Sequence, residues 1–239
     1  MTGAAHYGSD VVIAKPAYGV LVTSAIARGR IASIDEAEAR GVKGVIEIFT
    51  HNNIGPIEGG KTFDGGGYMS SSIAPLASDQ VRHDGQIVAL VVGETFEAAR
   101  EGAHRLTVGY QAQPPSASFD SPGAETVAAA EVSKKHEDPK VGDAAAAFSS
   151  SPVKIDAEYQ TRTEHHNPIE LFTTTCAWQN GKLTVWESSQ NVWGFKNGLA
   201  QQLGIKVDDI HVVSPFAGGA FGSRGSLTQR TAIVARAAQ

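Results

Sequence analysis

The sequence predicts an α+β fold, in which strands and short helices follow one another along 239 residues. Runs rich in β-branched residues, such as residues 45–50 and 86–93, are bounded by polar or glycine-containing stretches, as strands are. The dipeptide Asn180-Gly181 separates two further runs of this kind and is a strong hairpin signal. Proline, serine and alanine are frequent in residues 111–152. We therefore expect two α+β units joined by a connecting segment.

The first unit, residues 1–120, is expected to hold five strands and two short helices. We predict the strands at residues 18–24, 31–35, 45–50, 86–93 and 106–110 and the helices at residues 35–41 and 96–103. Asp35 and Thr95 are the predicted N-caps of the two helices, and Gly41 ends the first. The stretch from His51 to Ala74, rich in glycine and serine, is predicted to be a long surface loop.

Residues 121–152 are the predicted connector, and residues 153–239 form the second unit. We predict its strands at residues 153–160, 172–178, 182–187 and 209–214 and its helices at residues 192–203 and 228–239. Gly204 is a stop signal for the first of these helices. The last helix has no glycine or proline after it, so we expect the chain to be one part of a larger body.

Composition and charge exclude several classes of protein. Hydrophobic residues make up 41% of the chain and charged residues 19%, which is typical of a globular domain. A net charge of -5 argues against a nucleic-acid partner. Neither a membrane-spanning stretch nor a secretion signal is present in the sequence, and we expect a cytoplasmic or periplasmic location. The single cysteine, Cys176, rules out an internal disulfide or a multi-cysteine cluster, and we predict a plain buried role for it.

The most informative motif is a glycine-rich stretch at residues 216–225, which we call the glycine loop. Its small residues allow backbone N–H groups to approach a ligand closely. Phe216 and Phe221 add an apolar wall, so the loop is typical of a pocket edge that binds a bulky, partly anionic cofactor. A phosphate-binding P-loop and a dinucleotide fingerprint are both excluded, because the required lysine and glycine spacings are missing.

Residues 164–170, called the histidine segment below, contain two histidines and two glutamates. His165 and His166 are adjacent, so they point to opposite faces of a strand, and no second cluster of soft ligands completes a metal site. Three interpretations remain open. The segment is a metal site, a polar turn before the extended stretch that starts at Asn167-Pro168, or a turn that lines a cleft and holds loops or a cofactor in place.

Residues 188–191, called the helix-entry segment, lie between a predicted strand and a predicted helix. Gln190 offers a hydrogen-bond donor and an acceptor, and the start of a helix presents free N–H groups to anions. Ordinary N-capping by Ser188, Ser189 or Asn191 explains the same residues equally well.

Taken in order, these motifs resemble the N-terminal portion of the molybdenum-binding subunit of the xanthine oxidase and aldehyde oxidoreductase family. Residues 18–31 and 85–100 look like the two ends of that family's a/b hammerhead domain. Residues 157–170, 183–191 and 218–224 are similar to the first part of its molybdopterin-binding α+β domain. The resemblance covers nearly the whole chain, and it implies a hammerhead domain followed by the start of a molybdopterin-binding domain.

The resemblance also implies a cofactor and its neighbours. That cofactor is a molybdenum ion held by the dithiolene of a pterin, often as the cytosine dinucleotide in bacteria, without a metal ligand from the protein. Gln190 would form a hydrogen bond near the oxo or sulfido ligand of the molybdenum. Phe221 and Gly222 would lie beneath the apical oxo group, and Gly219 and Ala220 would shape that wall. No catalytic residue is implied within this chain, because the family's base glutamate lies in the C-terminal part of the subunit.

The resemblance implies that the chain is a portion of a molybdenum-dependent oxidoreductase and is inactive without the missing half. The enzyme would oxidise aldehydes, aromatic ones above all, to carboxylic acids with water-derived oxygen. Purine oxidases carry a substrate-binding glutamate near the position of Gly225-Ser226, where this chain has no carboxylate. The alternatives are a hydroxylase of N-heterocycles (isoquinoline, nicotinate or purine type) and a non-catalytic structural or assembly module. Expected partners are the rest of the molybdenum subunit, an iron–sulfur subunit and an FAD subunit, and an exposed apolar face is expected where the rest would bind.

Overall fold

The computed structural model describes residues 3–59, 74–128, 131 and 141–239, and all statements below concern these residues. The strands are β1 Tyr18–Thr23, β2 Gly29–Asp35, β3 Val45–Thr50, β4 Gln80–Val81, β5 Ile87–Gly93, β6 Thr107–Ala112, β7 Thr175–Gln179, β8 Lys182–Trp186 and β9 Ile210–Val213. The α-helices are α1 Ala37–Arg40, α2 Phe96–Arg105, α3 Ala144–Ser150, α4 Val192–Leu203 and α5 Gln229–Ala237. The predicted α+β class is confirmed.

Two antiparallel sheets, with strand orders β1-β5-β3 and β4-β2-β6, make up the first unit. Strand β5 lies at the centre of its sheet, and its residues Val88, Ala89, Leu90 and Val91 are fully buried. Burial on both faces explains why this strand is an unbroken apolar run. Helix α2 packs on this sheet, and its predicted cap is confirmed, since the Thr95 hydroxyl accepts the N–H of Ala98 at 3.1 Å.

The third sheet, with order β7-β8-β9, combines an antiparallel and a parallel pair. Asn180 and Gly181 adopt φ values of 52° and 76°, the left-handed conformation that a tight hairpin turn requires, so the predicted hairpin is confirmed. Helix α4 provides the crossover from β8 to its parallel neighbour β9. This helix ends at Gly204, whose φ of 66° makes it the predicted left-handed C-cap.

One hydrophobic cluster joins the two units. Leu90 of β5 packs in the same cluster as Leu183 of β8, Phe195 of α4 and Ile233 of α5. Arg236 strengthens this junction, because its guanidinium donates to the carbonyl oxygens of Pro56 at 2.9 Å and of Leu203 at 2.8 Å. Helix α5 is therefore packed into the body of the protein, and the two units share a core.

The strand predicted at residues 153–160 is wrong. These residues form no regular structure, and Val153, Ile155 and Tyr159 are exposed. Their alternating pattern satisfies the local requirement for a strand, but no described strand pairs with their backbone. The predicted connector contains the exposed helix α3, which Asp143 caps by accepting the N–H of Ala146.

In the first part of the surface loop predicted at residues 51–74, residues 51–59 form no helix or strand and most are exposed, as predicted, but Ile54 and Ile57 are buried. Residues 60–73 of that prediction lie outside the described residues. The described helices include none with the length and apolar character of a membrane span.

Cys176 lies on β7 and is partly buried against the shared core, so the burial predicted for it is confirmed in part. Burial raises the pKa of its thiol, the nearby Glu187 carboxylate raises it further, and Arg230 opposes the shift. A raised pKa in the folded protein means that the neutral thiol stabilises the fold below the unfolded pKa of about 8.5. This contribution is lost as the pH rises through that value towards the folded pKa.

We therefore expect native Cys176 to resist a thiol-specific disulfide reagent at pH 8 and to react at once in urea. The decline in the free energy of unfolding between pH 8 and pH 10 should be smaller in Cys176→Ala, because that variant has no thiol to titrate. Equal reaction rates with and without urea would contradict the assignment.

Candidate functional site

The parallel pairing of β8 with β9 brings two of the predicted motifs to the same edge of the third sheet. The chain leaves β8 as the helix-entry segment and leaves β9 towards the glycine loop. The Ser189 N–H donates to the Ser214 hydroxyl at 2.8 Å, and the Gln190 N–H donates to the Arg224 carbonyl oxygen at 2.9 Å. The helix-entry segment and the glycine loop therefore lie side by side.

In the helix-entry segment, one residue caps helix α4 and another presents an exposed side-chain amide. Asn191 caps α4, since its side-chain oxygen accepts the N–H of Gly194 at 3.0 Å. Ser189 in turn accepts the N–H of Asn191 at 3.1 Å. Gln190 is exposed, and its side-chain amide makes no hydrogen bond with any described residue. Capping therefore accounts for Asn191 and leaves Gln190 available to a ligand.

The backbone of the glycine loop turns through left-handed conformations at Gly219, Phe221 and Gly222, with φ values of 103°, 51° and 97°. A phenylalanine rarely adopts this conformation, which costs about 1–2 kcal/mol, and such outliers concentrate at functional sites. The Phe221 side chain is 75% exposed. The N–H groups of Ala220, Phe221 and Gly222 donate to no described acceptor. The loop thus offers unpaired amide donors beside an exposed aromatic ring.

The histidine segment lies across the glycine loop and faces its glycines. Nε2 of His166 is 3.2 Å from the position that a Cβ would occupy at Gly222, and Cβ of Glu170 is 2.6 Å from that position at Gly218. A side chain at Gly218 would collide with Glu170, and one at Gly222 would press against His166 and be strained by the left-handed backbone there. The close approach explains why glycine occupies these two positions of the loop.

The Glu170 carboxylate connects all three motifs. One of its oxygens accepts a hydrogen bond from the Ser188 hydroxyl. The other accepts the Gly218 N–H at 2.6 Å and lies 3.2 Å from Nη2 of Arg224. The side chains of Glu170 and Arg224 are only 8% and 3% exposed, and Nε of Arg224 donates to the Gly219 carbonyl oxygen at 2.9 Å. The spacing of these residues in the sequence does not predict this ion pair.

An open cavity of about 420 Å³ adjoins the loop, lined by His165, His166, Asn167, Phe172, Ser223, Thr228 and Arg230. The described residues include no group of three or more histidine, cysteine, aspartate or glutamate residues that could hold a metal ion. Of the three interpretations of the histidine segment, the geometry agrees with a turn that lines a cleft and holds a loop in place.

A second buried carboxylate, Glu187, lies directly after β8 and binds helix α5. Its oxygens accept hydrogen bonds from Arg230 at 2.6 Å, Thr231 at 2.8 Å and Thr174 at 2.5 Å. Sequence reasoning missed Glu187 and Arg230. The sequence signal that could have identified Glu187 is its position immediately after a buried strand. An unpaired charge would be costly there, so this carboxylate needs a partner.

We expect Gly218→Ala to lower the free energy of unfolding by about 1–3 kcal/mol, because the new methyl group would overlap Glu170 and displace it from the loop. Gly225→Ala is the matched control, since the nearest atom to its Cβ would be 3.7 Å away, an ordinary contact. That control should change stability by less than about 0.5 kcal/mol in urea denaturation. Equal effects of the two substitutions would contradict the packing described.

Residues 2–114 match the family described as aldehyde oxidase and xanthine dehydrogenase, a/b hammerhead domain. Residues 127–239 match the molybdopterin cofactor-binding domain. The chain is 33% identical over 240 residues to the aldehyde oxidoreductase molybdenum-binding subunit PaoC of Escherichia coli O157:H7, covering 100% of this chain and 31% of that relative. It is 28% identical over 237 residues to the putative xanthine dehydrogenase molybdenum-binding subunit XdhA of Escherichia coli strain K12, covering 94% of this chain and 31% of that relative.

Among solved structures, the aldehyde oxidoreductase from Desulfovibrio gigas shares the fold, with a TM-score of 0.81 and 24% identity over 99% of this chain and 27% of that one. The chain thus spans about a third of the length of these relatives. The two domain matches together account for nearly all of its residues. The chain belongs to the family of molybdenum-binding subunits of aldehyde oxidoreductases and xanthine dehydrogenases, whose members are molybdenum-dependent oxidoreductases.

Proposed function

We propose that this chain supplies one wall of a molybdenum–pterin site in an enzyme that oxidises aldehydes, and that Gln190, Gly219, Ala220, Phe221 and Gly222 form this wall. The observation that carries the proposal is their arrangement at the edge of the third sheet. An exposed amide side chain without a described partner lies on the segment next to a loop whose N–H groups are also unpaired.

The residues present fit such a group in their chemistry. When bound, the molybdenum–pterin group would supply the two-electron chemistry that converts an aldehyde to a carboxylic acid. The N–H groups of Phe221 and Gly222 are donors of the kind that stabilise negative charge on oxygen, and their positions are already fixed by the fold. The side-chain amide of Gln190 adds a further donor. The exposed Phe221 ring would exclude water from this wall, which strengthens these hydrogen bonds.

The proposed substrate class is aldehydes, aromatic ones in particular. The name of the relative PaoC supports this choice, since it is an aldehyde oxidoreductase subunit. Among the described residues, no carboxylate lines the cavity beside the loop, and the nearby Glu170 is engaged by Arg224 and Gly218. A purine, which an enzyme can hold through a carboxylate, finds no such partner on this wall.

We also propose that further polypeptide, corresponding to the rest of the relatives' length, covers this side of the protein and supplies the base glutamate. Tyr159, Ile169 and Leu171, which lie in or near the histidine segment, are exposed, and so are Trp193 and Phe221. Exposed apolar residues in this number are typical of an interaction surface. An iron–sulfur subunit and an FAD subunit would then accept the electrons, and the pterin would carry the cytosine dinucleotide.

The test starts from protein isolated from its native source together with every chain that co-purifies. Molybdenum is measured by mass spectrometry, and acid hydrolysis should release CMP if the pterin carries cytosine. Dye reduction is then followed with aromatic aldehydes, N-heterocycles and purines. Near-stoichiometric molybdenum with the highest kcat/KM on aldehydes supports the proposal. Faster turnover of heterocycles would reassign the substrate, and a complete absence of molybdenum would favour a non-catalytic module.

In that preparation, we expect Gln190→Ala to lower kcat/KM for the preferred aldehyde by about 100-fold or more, the usual effect of removing one preorganised donor. Gln201→Ala is the matched control, because Gln201 is an exposed glutamine on α4, the helix that follows Gln190. It should retain wild-type kcat/KM. A Gln190→Ala variant as active as this control would remove Gln190 from the proposed site.

A further inference from the structure

We propose that Glu170 is the positioning residue of the glycine loop. Through its contacts with the loop, Glu170 holds the unpaired N–H groups of residues 220–222 in place for a ligand. The proposal deepens the proposed function and rests on it for the identity of that ligand. Glu170 itself reaches none of these N–H groups, so it acts through the residues that flank them.

The contacts of Glu170 close the loop at both of its ends. Its carboxylate accepts the N–H of Gly218, which precedes the turn, and pairs with the guanidinium of Arg224, which follows it. The Arg224 guanidinium also binds the backbone, because it donates to the carbonyl oxygens of Gly219 at 2.9 Å and of Glu170 at 2.9 Å. The left-handed turn at Phe221 therefore lies between two points that are fixed to one carboxylate.

The same carboxylate also fixes the neighbouring segment. The Ser188 hydroxyl is hydrogen-bonded to Glu170 and lies 3.0 Å from the Phe216 carbonyl oxygen. Ser188 precedes Gln190 by two residues on the segment that ends at the Asn191 cap. One buried group thus sets the position of the loop relative to Gln190, which is what a site with preorganised donors requires.

Burial makes this arrangement rigid. Because Glu170 and Arg224 are almost completely buried, each is the other's compensating charge, and removal of either leaves an uncompensated charge in the interior. The strained backbone at Phe221 needs surroundings that hold it in place, and this ion pair provides them.

The experiment compares two buried carboxylates in the protein purified with its native partners. Glu170→Gln keeps the shape of the side chain and removes its charge. Glu187→Gln is the matched control, because Glu187 is also buried and also paired with an arginine, but it binds α5 and not the loop. Ser188→Ala changes no charge; it removes the Ser188 hydroxyl's hydrogen bond to Glu170 together with its contact with the Phe216 carbonyl oxygen.

Hydrogen exchange followed by mass spectrometry should show, in peptides covering residues 216–225 of Glu170→Gln, exchange at least tenfold faster at the hydrogen-bonded N–H groups of Gly218 and Ser223. Glu187→Gln should accelerate exchange in α5 and leave the loop peptides unchanged. Ser188→Ala should accelerate exchange in the loop by roughly fivefold, and it carries the test if Glu170→Gln does not fold. The Mo(V) electron paramagnetic resonance spectrum should change in Glu170→Gln and match wild type in Glu187→Gln.

Unchanged loop exchange in both Glu170→Gln and Ser188→Ala would overturn the proposal. Failure of the proposed function has a different signature. Faster loop exchange in a protein that contains no molybdenum supports the positioning role and refutes the molybdenum site. A molybdenum-loaded protein with unchanged loop exchange refutes only the role of Glu170.

Discussion

Replacing Glu187 with alanine is expected to lower the free energy of unfolding by about 3–5 kcal/mol, the usual cost of removing one partner of a buried ion pair. The Glu187 side chain is 3% exposed and that of Arg230 15%. Without Glu187, the Arg230 guanidinium would remain largely buried without its counter-charge, and the Thr231 hydroxyl would lose its acceptor. Helix α5 would lose its hydrogen bonds to the residue that directly follows β8.

The measurement is urea denaturation followed by circular dichroism. Glu101→Ala is the control, because Glu101 forms an equally short ion pair with Arg105, 2.6 Å long, on the exposed surface of α2. Exposed pairs contribute at most about 1 kcal/mol. A loss of stability in Glu187→Ala no larger than that of this control would show that the buried network does not hold α5.

The second large effect is expected from Phe195→Ala, which should also reduce stability by about 3–5 kcal/mol. Phe195 lies on α4, is 1% exposed and packs in the cluster that the two units share. The deleted ring would leave a cavity among residues of both units. Phe119→Ala is the control, since Phe119 is fully exposed, and its effect should stay below about 0.5 kcal/mol.

Fluorescence and circular dichroism together give this prediction a second readout. The three tryptophans, Trp178, Trp186 and Trp193, all lie in the second unit, so their fluorescence reports that unit alone. Circular dichroism reports both units. Because the cluster is shared, the two signals should move to lower urea concentration together in Phe195→Ala. If only the fluorescence transition moved, the two units would have independent cores.

Local signals were sufficient to predict many elements of the fold. The apolar run of β5, the Thr95 cap, the Asn180-Gly181 hairpin and the Gly204 stop each depend on residues adjacent in the chain. Their conformations follow from short-range sterics and hydrogen bonding, which the sequence displays directly. The strand predicted at residues 153–160 had the same kind of local support and failed, because a strand also needs a partner that only the folded chain provides.

The candidate site shows the same division between features that local sequence signals predict and features that only the folded chain provides. The sequence by itself determined which stretches are candidates for the site, among them residues 188–191 and 216–225, because glycine content and polar side chains are visible in any single window. Only the tertiary structure decided that parallel pairing of β8 with β9 places them side by side. It also decided that Glu170 pairs with Arg224, 54 residues later, and Glu187 with Arg230, 43 residues later. A charged residue can pair with any opposite charge in the chain, and burial by the completed fold selects its partner.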